Sequence, residues 1–263
     1  MFGGRSADSY TGMIDIHSHI LPLLDDGARN PEEALSMLRM AASTGTTDIV
    51  ATPHANMEFR FDPSAAAQRI AELERASGGT PRIHWGCELH LTPENIDHAM
   101  QFPALYSIAR RGYLLLEFPD FMVPKTTAEI LRRLIAAGLR PIVAHPERNL
   151  ILRKRLGDLA EWVARGSLIQ VTAQSLIGRF GPSAKAISGE LIGRGLAHLV
   201  ASDAHDTKHR PPVLDEAWQF LEHRFGRKTA RRLLTDNPRA VLEGMPIPAD
   251  IPASRKKPRF AFW

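Results

Sequence analysis

The stretch Met13-Ile14-Asp15-Ile16-His17-Ser18-His19 decides how the rest of this chain is read. Four residues of β character run into two histidines one residue apart. On extended backbone, residues i and i+2 project to the same side, so both imidazoles can reach a single point at the end of one strand. Working outward, short apolar runs recur at Asp48 to Ala51, Arg82 to Gly86, Tyr113 to Leu116, Pro141 to Ala144, Leu168 to Val171 and Ala197 to Ala201, giving seven candidate strands with Met13 to Ile16. Between them lie stretches with helical spacing of apolar residues, at Pro31 to Ser43, Pro63 to Ala76, Thr126 to Ala137, Leu156 to Arg165 and Pro182 to Arg194. Three of these open on a proline, which suits the first turn of a helix because its missing N–H would have no partner there. After the last strand the pattern becomes purely helical, at Val213 to Arg224 and Arg227 to Leu242. Strands that are apolar throughout and alternate with helices predict parallel strands covered on both faces, as in a TIM-like barrel or a doubly wound sheet.

Six of the seven strands lead directly to a His, Glu or Asp: His17, His54, Glu88, Glu117, His145 and Asp203. In a barrel these positions lie at the C-terminal strand ends, which share one mouth, so residues far apart in sequence converge. One histidine beside a strand is usually a hydrogen-bonded structural residue, whereas six ligand-type residues in register point to a metal site. His205 repeats the spacing of His17 and His19, two residues after Asp203. Imidazole mixed with carboxylate, and no thiolate, favours manganese, iron or zinc over calcium or copper. A set of this size favours more than one ion, able together to activate a water and screen a phosphoryl group. Arg148 and Arg210 follow ligand-type residues closely, and the guanidinium fork matches phosphate oxygens. Their plain alternative is a salt bridge with Glu147 or Asp206. His84 and His198 fall inside candidate strands as core or supporting residues, while His90, two after Glu88, could share the mouth.

The chain of 263 residues, 44% hydrophobic, can bury one large core. Its single cysteine, Cys87, leaves no intrachain disulfide and fits a reducing cytoplasm. Pro93 stands where a cysteine-based phosphatase loop needs arginine, and no phosphate-binding Gly-Lys-Ser/Thr loop or Gly-x-Ser-x-Gly elbow occurs. No apolar run reaches the roughly 18 residues of a membrane span, and the opening residues do not read as a signal peptide. The net charge of +4 is modest, with part of it at Arg255 to Arg259, so nucleic-acid binding is not expected. By composition, residues 1–12 are an extension, 13–246 one domain and 247–263 a basic, aromatic tail.

The motifs Met13 to Pro22, Leu24-Asp25-Asp26-Gly27, Ala51-Thr52-Pro53-His54, Ala144 to Asn149 and Ala201-Ser202-Asp203-Ala204-His205 resemble those of the polymerase-and-histidinol-phosphatase (PHP) superfamily. Gln170-Val171-Thr172-Ala173 and Gly178-Arg179-Phe180-Gly181 make the chain most similar to its bacterial capsule-type protein-tyrosine phosphatases. The resemblance runs from about Met13 to Gly244. It implies a distorted TIM-like (β/α)7 barrel with extra C-terminal helices, and three divalent ions, commonly manganese. One ion would take His17, His19, Glu88 and Asp203. Glu88 would bridge to a second, held also by Glu117 and His145, and a third would take Asp26, His54 and His205. Arg148 and Arg210 match arginines that bind the phosphoryl group. The implied reaction is attack of a metal-activated hydroxide on phosphotyrosine, and the implied partner is the tail of a membrane-associated tyrosine autokinase that controls capsule or exopolysaccharide synthesis. A small phosphomonoester such as histidinol phosphate, a nucleic-acid end, or a silent metal-containing binding protein are the competing readings. The segment Ala55 to Asp62 matches no family pattern.

Overall fold

The computed structural model describes residues 12–120 and 122–247. Nine strands lie among the described residues: β1 Met13–Ser18, β2 Thr46–Ala51, β3 His54–Ala55, β4 Arg82–Trp85, β5 Glu88–His90, β6 Tyr113–Glu117, β7 Arg140–Ala144, β8 Leu168–Thr172 and β9 Leu199–Ala201. They form two parallel sheets, one ordered β1-β2-β4 and one ordered β3-β5-β6-β7-β8-β9. Seven strands were expected, and the surplus has a local cause. The second run breaks at Thr52-Pro53 and resumes at His54, because proline cannot donate to the ladder. The third breaks at Gly86-Cys87 and resumes at Glu88. A Cβ at Gly86 would meet Val50 Cγ1 at 2.6 Å, so only glycine lets the strand bend this close to its neighbour. His54 and Glu88 therefore open short new strands rather than ending old ones.

The two sheets are joined at both sides. On one side β2 and β4 of the first sheet run on through Thr52-Pro53 and Gly86-Cys87 into β3 and β5 of the second. On the other side Ser18 bridges Ala204, Asp203 N donates to His17 O at 2.9 Å, and His19 N donates to Ala204 O at 2.8 Å. Ser202 fastens the same edge, its N and Oγ both bonding the Asp15 carboxylate, at 2.9 and 2.5 Å. Burial pushes that carboxyl up to about 6 against the pull of these bonds.

Strand β6 shows why the runs are apolar throughout. Leu114 and Leu116 belong to a cluster with helix residues Leu131 and Leu134, whereas Tyr113 and Leu115 belong to another with Ile14, Ile16 and Ile142. Each face has its own core, and each fully buried leucine contributes about 1.5–3 kcal/mol. Helices Pro31–Ser43 and Pro63–Ser77 carry proline in the first turn and are capped by the side chains of Asn30 and Asp62. The last expected helix, Arg227 to Leu242, is helical throughout but contains a wide π-type stretch at Arg232–Asp236 just before Pro238. Proline lacks the N–H and its ring crowds the carbonyl four residues back, which the wider turn relieves. His198 lies before β9 rather than inside a strand, receiving Ile169 N on its Nδ1 at 3.2 Å. No helix of the described residues is long and apolar enough to cross a membrane. The proposed extension, but for Gly12, and the proposed tail, but for Ile247, lie outside the described residues.

Candidate metal centre

The strand ends, with the loop after β1 that carries Asp26, bring His17, His19, Asp26, His54, Glu88, Glu117, His145, Asp203 and His205 into one connected cluster. Two histidines are fixed from behind. His17 donates from Nδ1 to Gln170 Oε1 at 3.1 Å, and His19 donates from Nδ1 to Asp25 Oδ2 at 2.7 Å. Those bonds set the tautomers and leave both Nε2 lone pairs facing forward. The two Nε2 atoms are 3.2 Å apart. His205 follows the same rule, its Nδ1 on the backbone carbonyl of Asp203 at 3.0 Å and its Nε2 turned to Asp26.

Glu88 lies at the middle, almost fully buried. Its Oε2 sits 3.1 Å from His54 Nδ1, 3.2 Å from His17 Nε2 and 3.3 Å from His19 Nε2, yet it makes no well-directed hydrogen bond. His54 Nδ1 and His205 Nε2 are likewise buried without such a bond. Buried polar atoms are ordinarily satisfied, so lone pairs gathered around common points fit cations between them. Three overlapping groups offer donor atoms within 4.8 Å of one another: His17, His19, Glu88 and Asp203; His54, Glu88 and Glu117; and His19, Asp26, His54 and His205. The first is the set the family resemblance implied. In the second, His54 joins Glu88 and Glu117, while the expected His145 contacts the other oxygen of Glu88 at 2.8 Å and lies 4.0 Å from Glu117. The third gains His19.

Asp203 joins this cluster to the arginines. Its Oδ1 faces His17 at 3.3 Å and His19 at 3.5 Å, while its Oδ2 accepts from Arg148 Nη1 and from Arg210 Nη2 at 2.6 Å. Burial alone would raise this carboxyl, but His17, Arg148 and Arg210 hold it well below the usual carboxylate range. Neither arginine makes the salt bridge with Glu147 or Asp206 that was its plain alternative. Glu147 accepts from Thr172 N at 2.9 Å and Ser175 Oγ at 2.8 Å, tying the loop after β7 to the end of β8. Asp206 caps its own loop, accepting from His209 N at 2.6 Å. The Arg148 guanidinium lies 4.3 Å from the centre of the Phe180 ring, which limits its swing.

Backbone strain marks the same place. His145 and Asp203 have φ of 30° and 53°, a region that side-chain-bearing residues avoid at roughly 1–3 kcal/mol each. A Cβ on Gly27 would come within 2.0 Å of His19 O, so glycine is required where the Asp25-Asp26 loop closes over His19.

Sequence reading missed the supports. Asp25 and Gln170 were quoted only within motifs, Gln170 on the one strand that delivers no ligand-type residue. His90 reaches Glu117 at 3.4 Å and so borders the mouth. His84 does not: it pairs with Asp48 at 2.8 Å, away from the cluster.

Comparison with known proteins agrees with this geometry. The CpsB/CapC model of capsular polysaccharide synthesis matches residues 13–243. Tyrosine-protein phosphatase YwqE of Bacillus subtilis is 35% identical over 243 residues, covering 89% of this chain and 93% of the relative. Tyrosine-protein phosphatase CpsB of Streptococcus pneumoniae is 26% identical, covering 88% and 98%. A crystal structure from work on YwqE and CpsB, described as metal-dependent tyrosine phosphatases, superposes with a TM-score of 0.85 at 35% identity, covering 91% of this chain and 98% of the other. A phosphotriesterase homology protein of Escherichia coli shares the fold alone, with a TM-score of 0.58 at 13% identity. With a family match spanning nearly the whole described chain, and relatives above 30% identity over most of their length, this protein belongs to the CpsB/CapC family of capsular polysaccharide synthesis.

Proposed function

We propose that this chain is a metal-dependent protein-tyrosine phosphatase acting on the phosphorylated tail of a bacterial tyrosine autokinase that controls capsule or exopolysaccharide synthesis. The observation that carries the reading is Asp203, one carboxylate shared between a histidine-rich metal cluster and two arginines. Metal ligands alone would suit many hydrolases, and two guanidinium groups beside them suit a phosphate ester.

The ligand assignment follows the family: His17, His19, Glu88 and Asp203 for one ion, Glu88, Glu117 and His145 for a second, and Asp26, His54 and His205 for a third, with manganese the first choice and iron or zinc next. Three ions, when bound, would supply an acidified water for in-line attack and positive charge against the phosphoryl oxygens. The chain's own residues do the rest. Gln170 and Asp25 keep His17 and His19 in the tautomers that point lone pairs forward. Arg148 and Arg210, held ready on Asp203, are placed to turn from it to the phosphoryl oxygens as charge builds there, a preorganised arrangement that costs little at the moment of reaction. Phe180 keeps Arg148 from leaving the mouth. Cys87 is fully buried, and burial raises its thiol well above the usual range, which suits a packing role.

We further read the two joined sheets as the wall of one distorted TIM-type barrel of seven βα units, spanning residues 13–246, with residues 1–12 and 247–263 as appendages. The protein is placed in the cytoplasm, where the kinase tail would be met. Purified protein, stripped with chelator and reloaded with manganese, should release phosphate from a phosphotyrosine peptide and far less from histidinol phosphate or an oligonucleotide end. Turnover of histidinol phosphate in preference to the peptide would replace this substrate with the small-molecule one.

A further inference from the structure

The loop Asn56 to Phe61, which matches no family motif, lies directly against the cluster. Its shape is fixed from within and at both ends. The Asn56 side chain accepts from Glu58 N at 2.9 Å and Phe59 N at 2.7 Å, while Asn56 N donates to Phe59 O at 3.0 Å. Before the loop, Asn95 Nδ2 holds Ala55 O at 2.8 Å. After it, the Phe61 ring lies 5.8 Å from Trp85 and 5.6 Å from Tyr106, and Asp62 caps the following helix. Such a strap fixes the backbone that carries Met57, Glu58, Phe59 and Arg60.

Of these, Phe59 is half-buried and its ring runs nearly parallel to that of His54, with centroids 6.0 Å apart and planes 16° apart. His54 in turn stands 4.4 Å from His19 and 3.1 Å from Glu88. An aromatic face thus begins one ring away from the cluster. In an aryl phosphate the ring is separated from phosphorus by a single oxygen, so a phosphoryl group on the cluster carries its ring within reach of that face. A serine phosphate offers only a methylene at the same depth. The second phenylalanine at the mouth, Phe180, is already stacked with Arg148 and serves the phosphoryl side.

Resting on the phosphatase reading, we infer that Phe59 is the specificity-determining residue that selects aryl over alkyl phosphate esters, by stacking on the ring of the substrate. Phe59 makes no contact with phosphorus and supplies no proton. Its effect is confined to the ring and falls on affinity.

The test uses the manganese-loaded full chain and two non-hydrolysed anions, phenylphosphonate and inorganic phosphate, with binding followed by calorimetry. Wild type should prefer phenylphosphonate. Phe59→Ala should weaken phenylphosphonate roughly threefold to tenfold while leaving inorganic phosphate within about twofold, the scale of an aromatic pair. Phe59→Leu should retain part of the preference, and Phe59→Trp should keep all of it. Equal weakening of both anions in Phe59→Ala would show that the ring merely props His54, and unchanged binding of both would show that the ring does nothing. Either result overturns the inference while leaving the phosphatase reading intact. If wild type binds neither anion, the phosphatase reading fails and this inference with it.

Discussion

Asp48 and Asp203 are both buried carboxylates ringed by histidine and arginine, and only Asp203 belongs to the candidate metal centre. Asp48, in β2, accepts Arg82 Nε and Nη2 at 2.9 Å each, His84 Nε2 at 2.8 Å and the Thr47 hydroxyl at 2.8 Å. Each of these donors is matched on Asp48. Asp203 shares its arginines' grip with a cluster in which neighbouring lone pairs stay without hydrogen bonds, and it sits on strained backbone. Histidine beside carboxylate is therefore not the mark of a metal centre. The mark is donor atoms converging in excess of the protons available to satisfy them.

Breaking the Asp203 side should cost most. Asp203→Ala removes a carboxylate that faces two histidines and two arginines, and should lower kcat/KM at least roughly hundredfold together with metal content, read by turnover and elemental analysis. Retained activity with full metal occupancy would sink the assignment. Arg210→Met should separate the arginines from the metals, with kcat/KM down roughly tenfold to hundredfold and metal content unchanged. Gln170→Leu frees the ring of His17, so metal affinity should fall roughly tenfold to hundredfold by chelator competition, while the fold persists by circular dichroism.

The Asp48 side should answer only in stability. Asp48→Asn should lose about 1–3 kcal/mol in urea unfolding and leave turnover per folded molecule unaltered. His84 and Arg82 hold the Asp48 carboxyl below the usual range, although burial works the other way. A depressed folded value makes its contribution complete above the ordinary carboxylate value of about 4 and lost as pH falls below it. The difference in unfolding free energy between wild type and Asp48→Asn should therefore shrink between neutral pH and about pH 3. A gap of constant size would mean that packing, not charge, is what Asp48 supplies. The smallest effect belongs to Cys87→Ala, for which kcat should stay within about twofold.

How much of this contrast could be read beforehand follows from the physics of each residue. The βα rhythm and the positions of the clustered His, Asp and Glu residues were legible because parallel strands covered on both faces leave continuous apolar runs, and the first polar residue after each run stands out. His84 was set apart correctly, since it falls inside a run rather than at its end. The breaks at Pro53 and Gly86-Cys87 were not legible as new strands, because the resumed pairings His54 with Glu88 and Ala55 with Leu89 depend on neighbours distant in sequence. Asp25 and Gln170 escaped notice for the same reason: an orienting partner has no spacing of its own and is defined only by the imidazole it meets. That His54 as well as His145 stands beside Glu88 and Glu117 is likewise a matter of tertiary distances of a few ångströms, beyond any pattern along the chain.

The central claim is that a metal cluster joined to two arginines through Asp203 performs phosphotyrosine hydrolysis. It is tested most directly by following phosphate release from a phosphotyrosine peptide across a titration of chelated protein with manganese, with bound metal counted in the same samples. The account predicts no turnover without metal and recovery that tracks occupancy of the cluster, absent in Asp203→Ala. Full turnover by the metal-free chain, or by the Asp203 variant, would contradict it.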